Sequence, residues 1–232
     1  MDRPLQSFGP DLWLADGPIA QVAGFPYPTR MAVVRLSGGG LWIWSPVALT
    51  EGLRQAVEAL GEVRHIIAPN SLHDLHLAQW VTTFRLATLS AAPSLRKLRP
   101  DLPIALELAD APPPAWAADL DQVLVHGNAI TTEAVFFHRA SRTVLFTDLI
   151  QQFPSGWFHG WRALVARLDL MTEPEPAVPR KFRLAFTDRG AARLALARIE
   201  AWPASAVVMA HGNPVERDGQ AFIGRAFRWL TG

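Results

Sequence analysis

The chain has 232 residues, of which 50% are apolar, and its 22 basic and 21 acidic side chains leave a formal net charge of +1. This composition excludes a disordered chain, and the balanced charge argues against a nucleic-acid-binding protein. The absence of cysteine excludes disulfides and cysteine zinc sites, so a metal ion would need histidine, carboxylate, asparagine or water ligands.

The start of the chain and its apolar runs bear on where the protein works. The opening sequence MDRPLQSFGPDLWLADG lacks the basic and apolar segments of a secretory signal. The apolar runs are far shorter than a membrane span. We therefore expect a cytoplasmic protein of bacterial type without a membrane partner, and a single domain over residues 1–232.

The first half of the chain predicts a β-hairpin followed by helices and strands in alternation. Apolar runs at 30–36 and 41–45 flank a glycine-rich sequence typical of a hairpin turn. A short strand is predicted at 12–14, and the two prolines of segment 24–28 indicate a stiff loop. The later elements are a helix capped by Thr50 and ending near Leu60, a strand at 63–68, a helix at 72–83, a short strand at 86–89 and a short helix at 93–98.

The second half of the chain predicts further strands and then helices. Residues 99–114 are rich in proline and indicate a long irregular loop. The remaining elements are strands at 122–125, 134–138, 143–146 and 207–210, helices at 160–168, 188–202 and 221–230, and a proline-rich linker at 173–179. This order favours one layered α/β domain with mixed sheets over a purely parallel sheet.

Two histidines follow the predicted strand at 63–68. If the next helix begins near Leu72, His73 and His76 lie one turn apart on one helix face. Such a pair can hold a metal ion or an anion. Two histidines on a solvated helix face would explain the same spacing without any ligand.

Two later strands also end in polar residues. The strand at 143–146 leads into Asp148, and the strand at 207–210 leads into His211 and a glycine. The carboxyl ends of strands are where α/β proteins build their sites. The alternative is that Asp148 caps the following turn and that His211 makes a structural hydrogen bond.

The chain has only three asparagines, and each lies just past a predicted strand. Asn70, Asn128 and Asn213 stand in or beside the same loops as the histidines and Asp148. We expect these three residues to line a common cleft. Asparagine is also a preferred turn residue, which would explain the same positions.

The order of these features resembles the metallo-β-lactamase superfamily, and more closely a branch of it that forms a domain of unknown function. The similar stretches cover nearly the whole chain: GPDLWLADGP, MAVVRLSGGGLWIWSP, APNSLHDLHLAQW, LRKLRPDLP, VFFHRASRTVLFTDLIQQF and VVMAHGNP. The resemblance implies an α/β fold, an αββα sandwich of two mixed β-sheets flanked by helices. It also implies a site on one edge, at the strand ends.

The superfamily's metal motif, His-x-His-x-Asp-His, is only partly retained. Laid on this chain without a gap, it falls on Asn70, Leu72, Asp74 and Leu75, and only Asp74 matches. His73 and His76 are offset from the required positions.

Downstream, two further positions match the superfamily. Asp148 matches its metal-bridging aspartate, and His211 matches the late histidine of its His-Gly turn. The superfamily places another histidine near residues 129–131, where this chain has none, and His126 is displaced from that position. By this resemblance, the chain retains two carboxylates and one histidine of the superfamily's dinuclear zinc site and lacks three of its histidines.

Two functions are compatible with this pattern. The first is a metal-dependent hydrolase of an unknown small substrate, in which His73, His76, Asp148 and His211 hold one divalent zinc, iron or manganese ion. Asn70 would be a weak ligand or a hydrogen-bond donor in that site. Asp74 or Asp148 would then position the attacking water. The second is a metal-free binding or scaffold protein that retains the fold with a degenerate site. Both functions imply a small-molecule ligand and no nucleic acid, and neither predicts an oligomeric state.

Overall fold

The computed structural model describes residues 4–232 as two β-sheets packed face to face, with helices on both outer faces. Met1, Asp2 and Arg3, with which the predicted non-secretory start begins, lie outside the described residues. Within residues 4–232, none of the helices combines the length and the apolar composition needed to cross a membrane.

The first sheet has seven strands in chain order and is mixed. Its first four strands pair antiparallel, and its last four pair parallel. The strands are β1 (Gln6–Gly9), β2 (Leu12–Val22), β3 (Phe25–Arg35), β4 (Leu41–Trp44), β5 (Val63–Ala68), β6 (Thr88–Ala91) and β7 (Ile104–Glu107). Its outer face packs against α1 (Glu51–Leu60), α2 (Leu77–Thr83) and α3 (Leu95–Leu98).

The second sheet has four strands in the order β11-β10-β9-β8 and is also mixed, because only β10 and β11 are parallel. These strands are β8 (Leu120–Val125), β9 (Glu133–His138), β10 (Thr143–Phe146) and β11 (Ala206–Met209). The later helices are α4 (Trp161–Leu168), α5 (Arg180–Ala185), α6 (Arg189–Glu200) and α7 (Gly219–Thr231). The last three of them cover the outer face of this sheet.

The interior between the sheets is aromatic. Trp42 and Trp44 of β4 point inward, whereas Leu41 and Ile43 of the same strand face the helices. This alternation follows the two-residue period of a strand that is buried on both faces. Trp42 meets Phe136 of the second sheet with the ring centroids 4.9 Å apart. The predicted αββα sandwich of two mixed sheets is confirmed.

The predicted hairpin is confirmed, but the strands before it are longer than expected. Ala32–Arg35 pairs with Leu41–Trp44, and Gly39 turns the chain with a φ of +86°. The stretch at 24–28, predicted as a loop, contains the start of β3. Prolines are tolerated there because β3 has only β2 as a neighbour before Ala32, so they remove no bond to a second strand.

Two other sequence predictions are corrected by the structure. The loop predicted at 99–114 contains the short edge strand β7, which pairs with β6. The helix predicted from Leu72 begins only at Leu77. Asn70 Oδ1 accepts hydrogen bonds from the backbone N–H groups of Leu72 (2.8 Å) and His73 (3.1 Å), which form a turn in place of the first helical turn. The predicted pairing of His73 and His76 on one helix face is therefore wrong.

Two histidines away from the strand-end loops, His65, which is half-buried, and His138, which is buried, predict a pH-dependent stability. Burial lowers the pKa of His65 from its ordinary value of 6.5, helped by the charge of Arg64, and burial also lowers the pKa of His138. The unfolded chain therefore binds more protons than the native state as the pH falls through 6.5. We expect these two groups to contribute a decrease in the free energy of unfolding in urea between pH 7 and pH 5.5. Replacing both residues with glutamine should make this decrease smaller.

The matched control for this prediction removes two exposed histidines. Replacing His126 and His159, both exposed, with glutamine should leave the pH dependence of the native protein unchanged. An equal pH dependence in the buried and exposed double variants would contradict the prediction.

Candidate metal centre

The candidate site lies where four strands end on one edge of the sandwich. Ser45 directly follows β4, and Asn70 and His73 stand in the loop after β5. Asp148 follows β10, and His211 follows β11. The strands β4 and β5 are parallel neighbours, as are β10 and β11, so each sheet directs two carboxyl ends into the same cleft.

Three of the predicted side chains meet at this edge. One ligand atom each from His73, Asp148 and His211 lies within 4.8 Å of the other two. His73 Nε2 is 3.2 Å from Asp148 Oδ2, and His211 Nε2 is 3.5 Å from Asp148 Oδ1. The three side chains are only 10%, 8% and 9% exposed. Two imidazoles and one carboxylate are a donor set that suits zinc and other divalent ions.

The remaining nitrogen of each imidazole has a partner that orients the ring. His73 Nδ1 lies 2.7 Å from Ser45 Oγ, and His211 Nδ1 lies 2.8 Å from the carbonyl oxygen of Pro28. A carbonyl oxygen only accepts hydrogen bonds, so His211 Nδ1 carries a hydrogen, which leaves Nε2 as the nitrogen that would coordinate a metal ion. Metal-ligating histidines are usually held by such outer hydrogen bonds.

Hydrogen bonds from Arg30 hold the loop that carries His211 in place. Arg30 donates hydrogen bonds to the carbonyl oxygens of Met209 and Gly212, on either side of this loop. Gly212 has a φ of +152°, and a Cβ atom there would lie 2.7 Å from the carbonyl oxygen of Gln152. The glycine that follows His211 is therefore required by the close approach of two backbone segments.

Asp148 is held by a buried network. Asn70 donates from Nδ2 to Asp148 Oδ2 (2.7 Å) and to Thr147 Oγ1 (2.9 Å). The carboxylate of Glu133 accepts from the backbone N–H groups of Thr147 (2.7 Å), Asp148 (2.8 Å) and Leu149 (3.1 Å). Glu133 thereby fixes the turn that presents Asp148 to the cleft.

The two buried carboxylates have opposite electrostatic environments. Burial alone would raise the pKa of Asp148, but the neighbouring His73 and His211 outweigh this and hold that pKa well below its usual range. Burial, reinforced by the charge of Asp148, raises the pKa of Glu133 to about 7. Asp148 is thus the ionised carboxylate of the cluster, as a metal ligand must be.

The cluster forms the floor of a cleft of about 440 Å³. Tyr27 and Lys181 form one wall next to the cluster. Gln151 also lines the cleft, and its buried Oε1 atom has no hydrogen-bond donor among residues 4–232. A water or a substrate group in the cleft would supply the missing hydrogen bond.

The other predicted site residues lie outside the cluster. Asp74 lines the cleft, but its Oδ2 atom pairs with Arg99 Nη1 at 2.8 Å. His76 also lines the cleft; its Nε2 atom is buried without a hydrogen-bond partner within the described residues and is not part of the three-residue group. The geometry therefore gives no support to Asp74 as a base or to His76 as a ligand.

The three asparagines serve other purposes than lining the cleft. Asn70 is fully buried beneath Asp148, and Asn128 is buried with its amide bonded to Phe182 O (2.9 Å) and Ile130 N (3.0 Å). Asn213 is exposed. Across residues 4–232, the cleft lining contains none of the three.

Several site residues were not predicted from the sequence, although some carried a signal. Tyr27 is the only tyrosine, and Lys181 is one of only two lysines among the 22 basic residues. Glu133 is an acidic residue at the start of a fully buried strand, EAVFFH. Ser45 carries no signal of this kind, since its role depends on the turn that places it against His73.

Comparisons with known proteins agree with this fold. Residues 12–174 match the family model described as "Domain of unknown function (DUF4336)", a range that includes His73 and Asp148 but not His211. No curated protein matches the sequence. Solved structures match over almost the whole chain and bear out the resemblance to metallo-β-lactamases that the sequence suggested.

Three of these structures illustrate the likeness. A metallo-β-lactamase from Pontibacter korlensis is 13% identical, with a TM-score of 0.64 and coverage of 98% of both chains. FIM-1 from Pseudomonas aeruginosa, in its mono-zinc form, is 13% identical, with a TM-score of 0.65 and coverage of 98% of this chain and 95% of the other. A metallo-β-lactamase from Erythrobacter litoralis is 14% identical, with a TM-score of 0.66 and the same coverage. At this identity the likeness establishes the fold.

Proposed function

We propose that this chain, which belongs to the DUF4336 family of unknown function, is a hydrolase of a small substrate that depends on one divalent metal ion. The observation that carries the proposal is the convergence of His73, Asp148 and His211 within 4.8 Å in a cleft. Three protein ligands with space beside them are the usual composition of a catalytic metal site.

The residues present fit a metal ion. Asp148 lies between two imidazoles whose outer nitrogens are engaged by Ser45 and by the carbonyl oxygen of Pro28, so both Nε2 atoms face the carboxylate. When bound, a divalent ion would lower the pKa of a water molecule to about 7 and polarise an acyl or phosphoryl oxygen.

The protein groups around the ion would perform the remaining tasks. Asn70 and Glu133 hold the turn at Asp148, so the carboxylate does not have to reorganise when a substrate enters. Asp148 is the carboxylate of the cluster, and we assign it the positioning of the attacking water.

The decisive experiment is the metal content of the untagged protein by plasma mass spectrometry. We expect close to one zinc, iron or manganese ion per chain, and we expect the double variant His73→Ala, His211→Ala to lose it. The matched control, His126→Ala with His159→Ala, also removes two histidines, but both are exposed and outside the cluster. It should retain the metal.

The result separates the two functions left open by the sequence. Metal that depends on the cluster supports the proposal and justifies a screen of ester, lactone and phosphoester substrates. A native protein that takes up no zinc, iron or manganese after reconstitution would overturn it. The cleft would then be the ligand site of a metal-free binding protein with the metallo-β-lactamase fold.

A further inference from the structure

We propose that the cleft selects an amphipathic substrate with one carboxylate, bound by Lys181 and Tyr27, and with an apolar portion that lies against the mouth of the cleft. This inference deepens the proposed function and rests on it for the hydrolytic step. The carboxylate subsite itself is built from residues outside the metal cluster, so it can be tested separately.

The ammonium group of Lys181 lines the cleft that contains the metal cluster, and one of its hydrogens has no strong acceptor in the described structure. Its Nζ atom donates to Tyr27 Oη at 2.9 Å and lies 3.4 Å from Asp169 Oδ2. The third Nζ hydrogen has only the thioether of Met171, 3.9 Å away, among residues 4–232. A thioether is a weak acceptor, and the Lys181 side chain is 38% exposed, so this hydrogen can reach a ligand.

The hydroxyl group of Tyr27 also has a hydrogen without a strong acceptor among these residues. Its hydroxyl oxygen accepts the hydrogen bond from Lys181, so its own hydrogen must point elsewhere. Within the described part of the chain the only acceptor for that hydrogen is Met171 Sδ, at 4.0 Å. The Tyr27 ring packs edge-on against the imidazole of His211 with the centroids 5.0 Å apart, which places this side chain beside the metal cluster in the cleft lining.

The two hydrogens that have only the Met171 thioether as an acceptor within residues 4–232 match the two oxygens of a carboxylate. A charged acceptor that bridges an ammonium group and a hydroxyl group forms charge-assisted hydrogen bonds, which are stronger than neutral ones. The positive charge of Lys181 is already partly balanced by Asp169, and Asp148 stands on the floor of the same cleft. While no metal ion offsets the charge of Asp148, one negative charge suits this balance better than the two charges of a phosphate monoester.

The mouth of the cleft is apolar. Val22, Leu72, Leu75 and Ile130 line it and are 54%, 49%, 68% and 42% exposed. Single exposed apolar side chains are ordinary, but four around one opening form a surface that gains from covering by an apolar group. A carboxylate on the inner wall and an apolar group at the mouth define the substrate class.

The composition of the chain allows a direct test by nuclear magnetic resonance. With one tyrosine and two lysines, ¹³C labels at Tyr Cζ and Lys Cε give one and two signals, and the exposed Lys97 serves as an internal reference. Octanoate, octanamide and octyl phosphate are titrated into the full-length protein as isolated and again after EDTA treatment. We expect octanoate to shift the Tyr27 and Lys181 signals to saturation and to leave Lys97 unchanged.

Variants then separate charge from packing. Lys181→Met should weaken octanoate binding by about tenfold or more, Lys181→Arg should restore most of it, and octanamide should bind both proteins equally. Lys97→Met is the matched control and should bind octanoate like the native chain, with circular dichroism confirming that each variant is folded. The native and Lys181→Met proteins differ only at residue 181. An affinity difference that is seen with octanoate and not with octanamide therefore identifies Lys181 as the anion-binding residue.

Three outcomes would overturn the inference. They are an octanoate titration that leaves Lys181 unshifted, equal octanoate affinity in the native and Lys181→Met proteins, and, after EDTA treatment, tighter binding of octyl phosphate than of octanoate. Failure of the metal proposal has a different signature, because the metal content is measured separately and the octanoate titration is repeated in EDTA. Carboxylate binding without metal would leave the subsite intact and remove only the hydrolytic step.

Discussion

Replacing Asp148 with asparagine is expected to lower the affinity for zinc by more than about 100-fold, beyond the effect typical of losing an outer hydrogen-bond partner. Asparagine has nearly the same shape as aspartate, so the Asp148 site should keep its packing while losing its charge. Zinc affinity would be measured by competition with a chromophoric chelator. The loss follows because Asp148 is the carboxylate between His73 and His211 and is ionised in the native state.

The control for this prediction is the other carboxylate of the cleft. Asp74 matches the superfamily motif in sequence, but in the structure it pairs with Arg99 at 2.8 Å and lies outside the cluster. Asp74→Asn should therefore retain the zinc affinity of the native chain. Equal losses in the two variants, or a loss only in Asp74→Asn, would show that the ligand set is different from the one proposed here.

Glu133→Ala is expected to destabilise the protein by about 3 kcal/mol, because it leaves three buried backbone N–H groups without an acceptor at about 1–3 kcal/mol each, offset by the removal of a costly buried carboxylate. The raised pKa of Glu133, which results first from burial, shows that the carboxylate is costly to bury. The free energy of unfolding in urea measures the change. Zinc affinity should fall as well, since the turn from Thr147 to Leu149 presents Asp148.

Gln122→Ala provides a matched loss of a buried polar side chain in the same sheet. Gln122 donates to the carbonyl oxygens of Ala109 and Ala111 and accepts from Trp116, away from the cleft. It should destabilise the fold and leave the zinc affinity of the folded protein unchanged. If Glu133→Ala left both the stability and the affinity intact, the buried network would have no role in holding Asp148.

Local sequence patterns were sufficient to predict much of the architecture. Apolar runs and a glycine-rich turn predicted the hairpin of β3 and β4, and Thr50 caps the helix that follows it, as predicted. The strand-end positions of Asp148 and His211 were predicted because a strand followed directly by a polar residue is a local signal. The resemblance to metallo-β-lactamases added the arrangement of the layers, two mixed sheets packed between helices.

Errors arose where a side chain overrode the local pattern. The apolar spacing after Leu72 fits a helix, but Asn70 bonds the next two backbone N–H groups and delays α2 to Leu77. The prolines after Gly24 indicate a loop, yet an edge of the sheet accepts them. The first competing interaction is a local bond from a side chain to the backbone, which the apolar spacing does not show. The second depends on which part of β3 has only one neighbouring strand.

The sequence by itself therefore determined the fold class and the strand ends that carry chemistry, because these depend on local periodicity and on chain order. Only the tertiary structure decided which side chains meet. It joined His73 to Asp148 and His211, separated Asp74 and His76 from them, and placed Lys181 beside Tyr27 across 154 residues of sequence. These contacts depend on how two sheets pack against each other, and sequence spacing does not encode the distance between residues on different sheets.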